Sequence, residues 1–446
     1  MKNDKIKPGI DEVAFYWNRY PDVPKEVILK EDILNHGLKF SDEALEAAKG
    51  SKVKSYRLFT YDKVSYDQLQ KREAFKAPED IVIGGGTYGL RKTTVTVRLN
   101  PNSPYFVDVV DGQLMLCQDG VRIAKVKYPP MPNYYSKTFE DGAKYSEIVA
   151  MTAQTAFCTI NRACQFWGEK NECKFCDINE NVRQAKKSGK AAVVKAWKPI
   201  EQVTEVMEEI FVKEKTPGGV RPLAIVLSGG TILEKINNKN EDDFYLEYVA
   251  AIKDRIGSRW SLALQTLAKD KATLKRYKAT GVDRYCANLE VWDKELFKII
   301  CPGKERVVGR DEWVKRLVDA VDVFGEGNVT PNIVAGIETC QPYGFKDLDS
   351  AVKSTAEGIE FLMSHGVVVR FNHWNVSPLS ALKGNKPPPL EYFIRINLAW
   401  CEACVKYSIP PPRDLGPVGP GLATRGHGGY MDMDPVNWAE AKDDEE

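Results

Sequence analysis

The chain has 446 residues, of which 43% are hydrophobic, 28% charged and 10% aromatic. This exceeds one small domain and fits a large domain with a smaller one appended. Lysine plus arginine (63) nearly cancels aspartate plus glutamate (62), which argues against general attraction to nucleic acid or anionic membrane.

The N-terminus, MKNDKIKPGIDEVAFYW, has no apolar h-region. No secretory signal is expected, and no apolar run reaches membrane-spanning length. A cytoplasmic protein with reduced thiols follows. Residues 1–147 read as an appended α+β domain. Its charged helical start leads to "TTVTVRLNPNSPYFVDVVDGQLMLCQDGVRIAKVKYPP", where Asp111-Gly112 and Asp119-Gly120 are hairpin-turn signals. An antiparallel meander is expected over 93–128. "IGGGTYGL" at 83–90 fits neither a dinucleotide fingerprint nor a P-loop, so a turn is expected there.

Over 148–408 strands and helices alternate. Strand candidates are "EIVAMTAQTAF" (147–157), "LAIVLSG" (223–229), "WSLALQT" (260–266), "RYCANLEV" (284–291), "TPNIVAGIE" (330–338) and "VVVRFNHW" (367–374). Helical stretches lie between them and a last helix covers 391–407. The fold class is α/β, a partial (β/α)6 barrel of parallel strands with helices outside. Residues 409–446 form a Pro/Gly-rich tail with a disordered acidic end, "AKDDEE". A linker and a cover over the barrel mouth are both open for its glycine-rich part.

Alternation puts polar side chains on one face of these strands: Thr152, Gln154, Ser228, Gln265, Asn288, Glu290, Asn332, Glu338, Arg370 and Asn372. The opposite faces, with Leu262, Leu264, Ile333 and Val369, suit packing against helices. A barrel packed shut would be apolar inside. The polar set predicts a chamber for a polar small-molecule ligand, since buried polar groups need partners.

Four of the ten cysteines fall within nineteen residues, as Cys158-x5-Cys164-x8-Cys173-x2-Cys176. A zinc knuckle and an iron–sulfur cluster are the competing explanations. The cysteines follow the first barrel strand, where functional groups of such folds gather. That favours the cluster. Three thiolates would leave one iron open.

Here the chain resembles the radical S-adenosylmethionine superfamily, whose members carry three cysteines after the first strand, commonly as C-x3-C-x-aromatic-C. "CKFC" matches the second half, with Phe175 as the aromatic residue. The first interval is eight residues instead of three. The catalytic subunit of Elongator is similar, with an extra upstream cysteine and a long gap. The resemblance implies a [4Fe–4S] cluster on Cys164, Cys173 and Cys176, with Cys158 as the alternative first ligand. "LSGGTI" resembles the superfamily's glycine pair, which implies S-adenosylmethionine binding at Ser228, Gly229, Gly230 and Thr231, with Gln265 nearby. "CANLEVWD" resembles the fourth-strand segment of biotin synthase-like members, with Asn288 and Glu290 toward the cofactor. "VAGIET" partly resembles the adenine-packing element, through Gly336 and Ile337.

Other residues take weaker expectations. Cys340 could donate a hydrogen atom near the barrel mouth, although packing is the plainer role. Glu338, Arg370 and Asn372 are substrate candidates; Arg370 suits a carboxylate, or pairs with Glu338 or Glu290. His373 faces the helices. Cys401 and Cys404 pack in the core, and Cys117, Cys286 and Cys301 have no metal spacing. The basic stretch Arg183–Lys195 is a solvated surface or a cover for the cluster.

The resemblance thus implies an oxygen-sensitive enzyme. Reductive cleavage of S-adenosylmethionine would give a 5′-deoxyadenosyl radical, and that radical would abstract hydrogen from a polar small molecule. Reduced flavodoxin or ferredoxin would supply the electron. The alternatives are a zinc-stabilised binding protein and an Elongator-like transferase acting on RNA. Neutral net charge disfavours the latter.

Overall fold

The computed structural model describes residues 7–54, 62–64, 76–187, 197–409 and 416–435. Helix α1 (Ile10–Arg19) buries Ile10, Val13 and Trp17 at helical spacing. Helix α2 (Lys25–His36) is different. Its sequence is charged, yet Glu26, Lys30, Glu31, Asp32 and Asn35 are all buried along with its apolar residues.

Six strands form the N-terminal sheet: β1 (Lys39–Phe40), β2 (Asp80–Gly85), β3 (Leu90–Thr96), β4 (Phe106–Val110), β5 (Gln113–Gln118) and β6 (Val121–Lys127). Their order is β1-β4-β5-β6-β2-β3. The short helix α3 (Asp42–Glu46) follows β1. Both Asp-Gly turns form as expected, with Asp111, Gly112, Asp119 and Gly120 at positive φ. The meander is narrower than 93–128: it comprises β4–β6, while β3 hairpins with β2 across "IGGGTYGL". A Cβ on Gly86 would lie 2.3 Å from the Ile123 carbonyl oxygen, so the turn needs glycine there.

After helix α4 (Tyr145–Ile148), the expected strand 147–157 is instead an antiparallel hairpin of β7 (Ala150–Thr152) and β8 (Thr155–Asn161). Ala153 takes a positive φ at its turn without a glycine or proline to announce it. Thr152 and Gln154 therefore lie on the hairpin, and Gln154 donates to the Arg221 carbonyl. They are not on the first barrel strand.

The other parallel strands are β9 (Ala224–Gly229), β10 (Ser261–Gln265), β11 (Arg284–Cys286), β12 (Asn332–Ala335) and β13 (Arg370–His373). Strands β8 to β11 are neighbours in one parallel run, and β12 and β13 form a parallel pair. Bridges Tyr285↔Val329 and Glu290↔Ile333 join the two sets. The result is an α/β fold with a partial, unclosed barrel. Between the strands run α5 (Ile178–Lys187), α6 (Ile200–Glu208), α7 (Glu241–Ile256), α8 (Lys271–Thr280), α9 (Lys294–Ile300), α10 (Pro302–Val307), α11 (Arg310–Phe324) and α12 (Leu348–Ser364). Helix α13 (Leu390–Lys406) follows β13.

The strand faces divide as alternation predicts, with one change. Leu262, Leu264 and Ile333 pack in the main core with the helices. On the other face Phe157, Val226, Ala263 and Cys286 form a small apolar cluster of their own. Polar residues flank this cluster on both sides: Arg284, Asn332 and Arg370 begin β11, β12 and β13, while Ser228 and Gln265 lie at the C-terminal ends of β9 and β10.

The described part of the C-terminal stretch packs between the two ends of the open barrel. Arg425 donates to Thr155 Oγ1 at the start of β8 (2.8 Å), and the His427 carbonyl accepts from His373 N at the end of β13 (3.0 Å). The Gly426 carbonyl accepts from Thr96 N of β3 (3.1 Å). The acidic end lies outside the described residues.

His373 sits in this seam. It bonds Glu31 Oε2 through Nδ1 and Asn35 Oδ1 through Nε2, both at 2.8 Å, and stacks on Phe393. Burial holds its imidazole neutral and raises the Glu31 carboxyl. Asn35 donates its amide to the Pro388 carbonyl, so its oxygen must accept from His373 Nε2–H. Nδ1 then pairs with Glu31 Oε2, whose carboxyl burial raises. Glu31 Oε1 accepts from Asn397 and from Gly429 N. Glu31→Gln keeps every one of these roles and should change stability by under about 1 kcal/mol. Glu31→Ala strands several buried groups and should cost roughly 3 kcal/mol or more. Denaturant unfolding of the two variants measures the contrast.

Candidate functional site

The loop after β8 carries the cysteines, and the end of β9 receives it. Asn161 closes β8. Its amide donates to the carbonyls of Ala163 (2.7 Å) and Gly230 (2.9 Å), and its carbonyl accepts from Gly230 N (2.9 Å). A Cβ on Gly230 would lie 2.4 Å from Ala163 O and 2.5 Å from the Cys164 Cα. A Cβ on Gly229 would lie 2.3 Å from the Tyr245 hydroxyl. The glycine pair is therefore needed for close backbone packing of the cysteine loop. Ser228 lies just before it, buried, in register with Thr159. Thr231 follows: its carbonyl accepts from Gln165 N (2.9 Å), and its backbone and side chain donate to the Cys164 sulfur.

The far part of the loop is fastened elsewhere. Lys174 N donates to the Ile300 carbonyl at the end of α9 (2.8 Å). A Cβ on Gly303 of α10 would meet Asn171 O at 2.4 Å and Phe166 at 2.5 Å. Asp177 accepts from Ser377 beyond β13 (2.9 Å), and Asn179 donates to the Phe166 carbonyl (2.8 Å). Phe175 packs against the main core.

Cys164, Cys173 and Cys176 are each partly exposed. Burial raises the thiols of Cys164 and Cys176, and the neighbouring Cys173 raises both further. Cys173 itself is lowered. The Cys301 thiol donates a hydrogen bond to it, and the Lys304 cation lies near. Among the three, Cys173 most readily carries negative charge. Cys158 is apart from this group. It lies within β8, fully buried in the main core, with its sulfur 3.3 Å from the Ile148 carbonyl.

Cys301 has no metal-ligand spacing in the sequence, and only the folded contact with Cys173 reveals it. Lys304 was equally unmarked. From α10 it donates to Glu290 Oε1 and to the Asn288 carbonyl, both at 2.8 Å. The buried Glu290 carboxylate therefore has a cationic partner beside Cys173. Asn288 accepts from Asn332 N (3.2 Å). Gln265 stands half-buried at the end of β10.

Beyond β12 the expected residues turn inward to the protein. Gly336 has φ 100°, and a Cβ there would meet Pro388 at 2.5 Å. Ile337, Glu338 and Cys340 are fully buried. Burial and the Glu338 charge push the Cys340 thiol up to about 11. Arg370 Nε donates to the Thr330 carbonyl (3.0 Å), and Asn372 is exposed. The expected pairing of Arg370 with Glu290 or Glu338 does not form, because Lys304 and Tyr392 take those carboxylates. In the basic stretch Arg183 pairs with Glu172 and Glu180 and lies over Trp167. Residues 188–196 lie outside the described residues.

The donor set fits an iron–sulfur cluster: three thiols from one loop, partly exposed and not bonded to each other. A single tetrahedral zinc would hold its sulfurs about 3.8 Å apart, from Zn–S bonds of about 2.3 Å. Among the described residues, the three thiols do not lie within 4.8 Å of one another.

Glu338 generates a pH prediction. Its Oε2 accepts from Tyr392 (2.7 Å), its Oε1 has no hydrogen-bond partner, and burial raises its carboxyl from 4.5 to about 7. Between those values the folded chain keeps a proton that the unfolded chain has released. Stability therefore falls as pH rises from about 4.5 to about 7 and this contribution is flat above. Glu338→Gln should remove up to about 3 kcal/mol of that fall. Denaturant midpoints of the two proteins at pH 5 and pH 8 test the sign.

No family model matches the chain. It is 22% identical over 243 residues to the bacteriochlorophyllide c C-7(1)-hydroxylase of Chlorobaculum limnaeum, over 53% of this chain. The chain spans 56% of the length of that relative. Among solved structures, methylornithine synthase is similar with a TM-score of 0.41 and 17% identity, over 56% of this chain and 62% of that one. Coproporphyrinogen III oxidase from Escherichia coli, described as a radical SAM enzyme, gives 0.33 and 12%, over 56% and 51%. A radical SAM methyltransferase from Sphaerobacter thermophilus gives 0.36 and 13%, over 78% and 81%.

Proposed function

We propose that this chain is a radical S-adenosylmethionine enzyme acting on a polar small molecule. The observation that carries the proposal is the loop of Cys164, Cys173 and Cys176 seated on the Gly229-Gly230 end of β9. Residues 148–408 are the catalytic barrel, and residues 1–147 with the described tail seal its open side.

Cys164, Cys173 and Cys176 would hold a [4Fe–4S] cluster, which with S-adenosylmethionine supplies one-electron reduction and a hydrogen-abstracting radical. Cys158 is not a ligand in this scheme. Thr231 orients Cys164 by donating to its sulfur. Ser228, Gly229, Gly230, Gln265 and Asn288 line the strand ends on the cofactor side, while Glu290 anchors Lys304 next to Cys173. Gly336 and Ile337 shape the adenine side through packing. Arg370 and Asn372 face the substrate, and Arg370 would bind an anionic group. Glu338 keeps a proton in the wall behind them. Cys340 packs in that wall, and a hydrogen-donor role for it is the weaker alternative.

Reduced flavodoxin or ferredoxin would deliver the electron, in a cytoplasmic and oxygen-sensitive protein. Among the described residues no helix is long and apolar enough to cross a membrane.

Anaerobically reconstituted protein should contain about four iron per chain, and the EPR signal of its dithionite-reduced form should shift on adding S-adenosylmethionine. It should form 5′-deoxyadenosine, lost in Cys173→Ala. Stoichiometric zinc with no such shift would instead favour the zinc-stabilised binding protein.

Cys301 provides a finer test. Hydrogen bonds to cluster sulfurs raise reduction potentials. Cys301→Ala removes the bond to Cys173, so the midpoint potential should move to a more negative value at unchanged iron content. An EPR-monitored redox titration reads the shift.

A further inference from the structure

A second group of ligand-type side chains lies in the N-terminal region. Asp32 and His36 are one turn apart on α2, on the same face. Glu12 of α1 meets them. One ligand atom from each of the three lies within 4.8 Å of the others.

The spacing also suits ligands, beyond the loose ion pair that His36 makes with Asp32. His36 Nε2 and Asp32 Oδ1 are 3.4 Å apart. That exceeds the usual N–H···O range of about 2.7–3.2 Å. It matches the edge of a tetrahedron with metal bonds of about 2.0–2.1 Å, which is about 3.3–3.4 Å. Asp32 is fully buried, and its Oδ1 has no hydrogen-bond partner. Its Oδ2 accepts from the Tyr105 hydroxyl at 2.5 Å. Tyr105 is itself fully buried. One carboxylate oxygen is thus tied down and the other turned toward Glu12 and His36, as an outer partner orients a metal ligand.

The electrostatics agree. The Glu12 and Asp32 carboxylates lie close enough to repel each other unless a cation lies between them. Lys63 also faces His36, but burial and Arg98 hold its amine well below its ordinary value.

We propose that Glu12, Asp32 and His36 bind one first-row divalent cation, of the zinc or manganese class. The partly exposed Glu12 and His36 leave water free to complete its shell. Two carboxylates and one imidazole are the donors such ions take. The ion staples α1 to α2, the helix that carries Glu31 and Lys30 into the barrel seam.

The test uses the full chain with its cysteine site reconstituted with iron. Zn2+ and, separately, Mn2+ are added, the excess is removed, and bound metal and melting temperature are measured. The expected result is one added ion per chain and a higher melting temperature. Glu12→Gln should weaken binding at least tenfold and abolish that rise. With EDTA the same variant should melt at or above the wild type, because it relieves the repulsion from Asp32. Cys173→Ala should keep the metal-dependent rise, which separates this site from the cysteine loop. Equal uptake by wild type and Glu12→Gln, or a wild type whose melting temperature ignores both ions, would overturn the proposal.

Discussion

Two backbones approach so closely at the top of the barrel that no side chain fits between them. Gly230 lies against Ala163 and Cys164 at a distance that a single methyl group would violate. From this contact the rest of the site follows. It fixes where Cys164 starts, and it brings Thr231 within reach of that sulfur. The loop then spans to Gly303, a second position without a Cβ, which lets Phe166 and Asn171 settle on α10. Cys173 is left beside Cys301 and Lys304. A loop thirteen residues long from first thiol to last is thus held by glycine contacts at its start and middle and by the Lys174–Ile300 backbone bond toward its end, and sulfur positions that look loose in sequence are constrained in the fold.

Much of this was legible beforehand because its signals are local. The Asp-Gly turns carry their conformation in two residues. The strands β9 and β10 are short apolar runs with polar ends, and their bounds are within a residue of those expected, while β13 forms only over Arg370–His373 of the expected 367–374. The cysteine spacing is a local signal too. The misses share one cause: contacts between residues far apart in the chain. The β7–β8 hairpin turns at Ala153, a residue with no turn preference, and register with β9 imposes it. Cys301 and Lys304 gain meaning only when α10 meets a loop more than a hundred residues earlier. Glu338 seemed to point into the chamber by alternation, and Gly336 toward the cofactor by resemblance. The chain leaves the strand at Ala335 and turns, so the alternation rule stops before it reaches them.

Helix α2 shows the same limit in sharper form. A run such as KEVILKEDILNH reads as a helix with one wet face. In the fold it is enclosed, and its charges are met by groups from every other part of the chain. Lys30 bonds Asp432 and the Arg425 carbonyl, Glu31 meets His373 and Gly429, and Asp32 meets Tyr105. Buried charges are tolerated only when such partners are supplied. The helix therefore orders the N-terminal sheet, the last barrel strand and the tail relative to one another. A polar seam does this with more angular specificity than an apolar one, because each bond has a direction.

That specificity bears on the open side of the barrel. The first parallel strand, β8, has its outer edge partly covered by β7, and the last, β13, ends the run at the other side; exposed strand edges carry free N–H and C=O groups. An apolar plug would leave those groups unsatisfied. The tail bonds to both sides of this opening: the His427 carbonyl serves His373 N on β13, Arg425 reaches the Thr155 hydroxyl on β8, and the Gly426 carbonyl serves Thr96 N on β3 of the N-terminal sheet. Water is excluded from the side of the chamber without sacrificing hydrogen bonds. The proposed chemistry needs such exclusion, since an unshielded reactive intermediate would be lost to side reactions. The charged appearance of α2 and the glycine-rich appearance of the tail are thus two halves of one requirement. The first supplies buried side-chain partners, and the second supplies backbone slim enough to run between them.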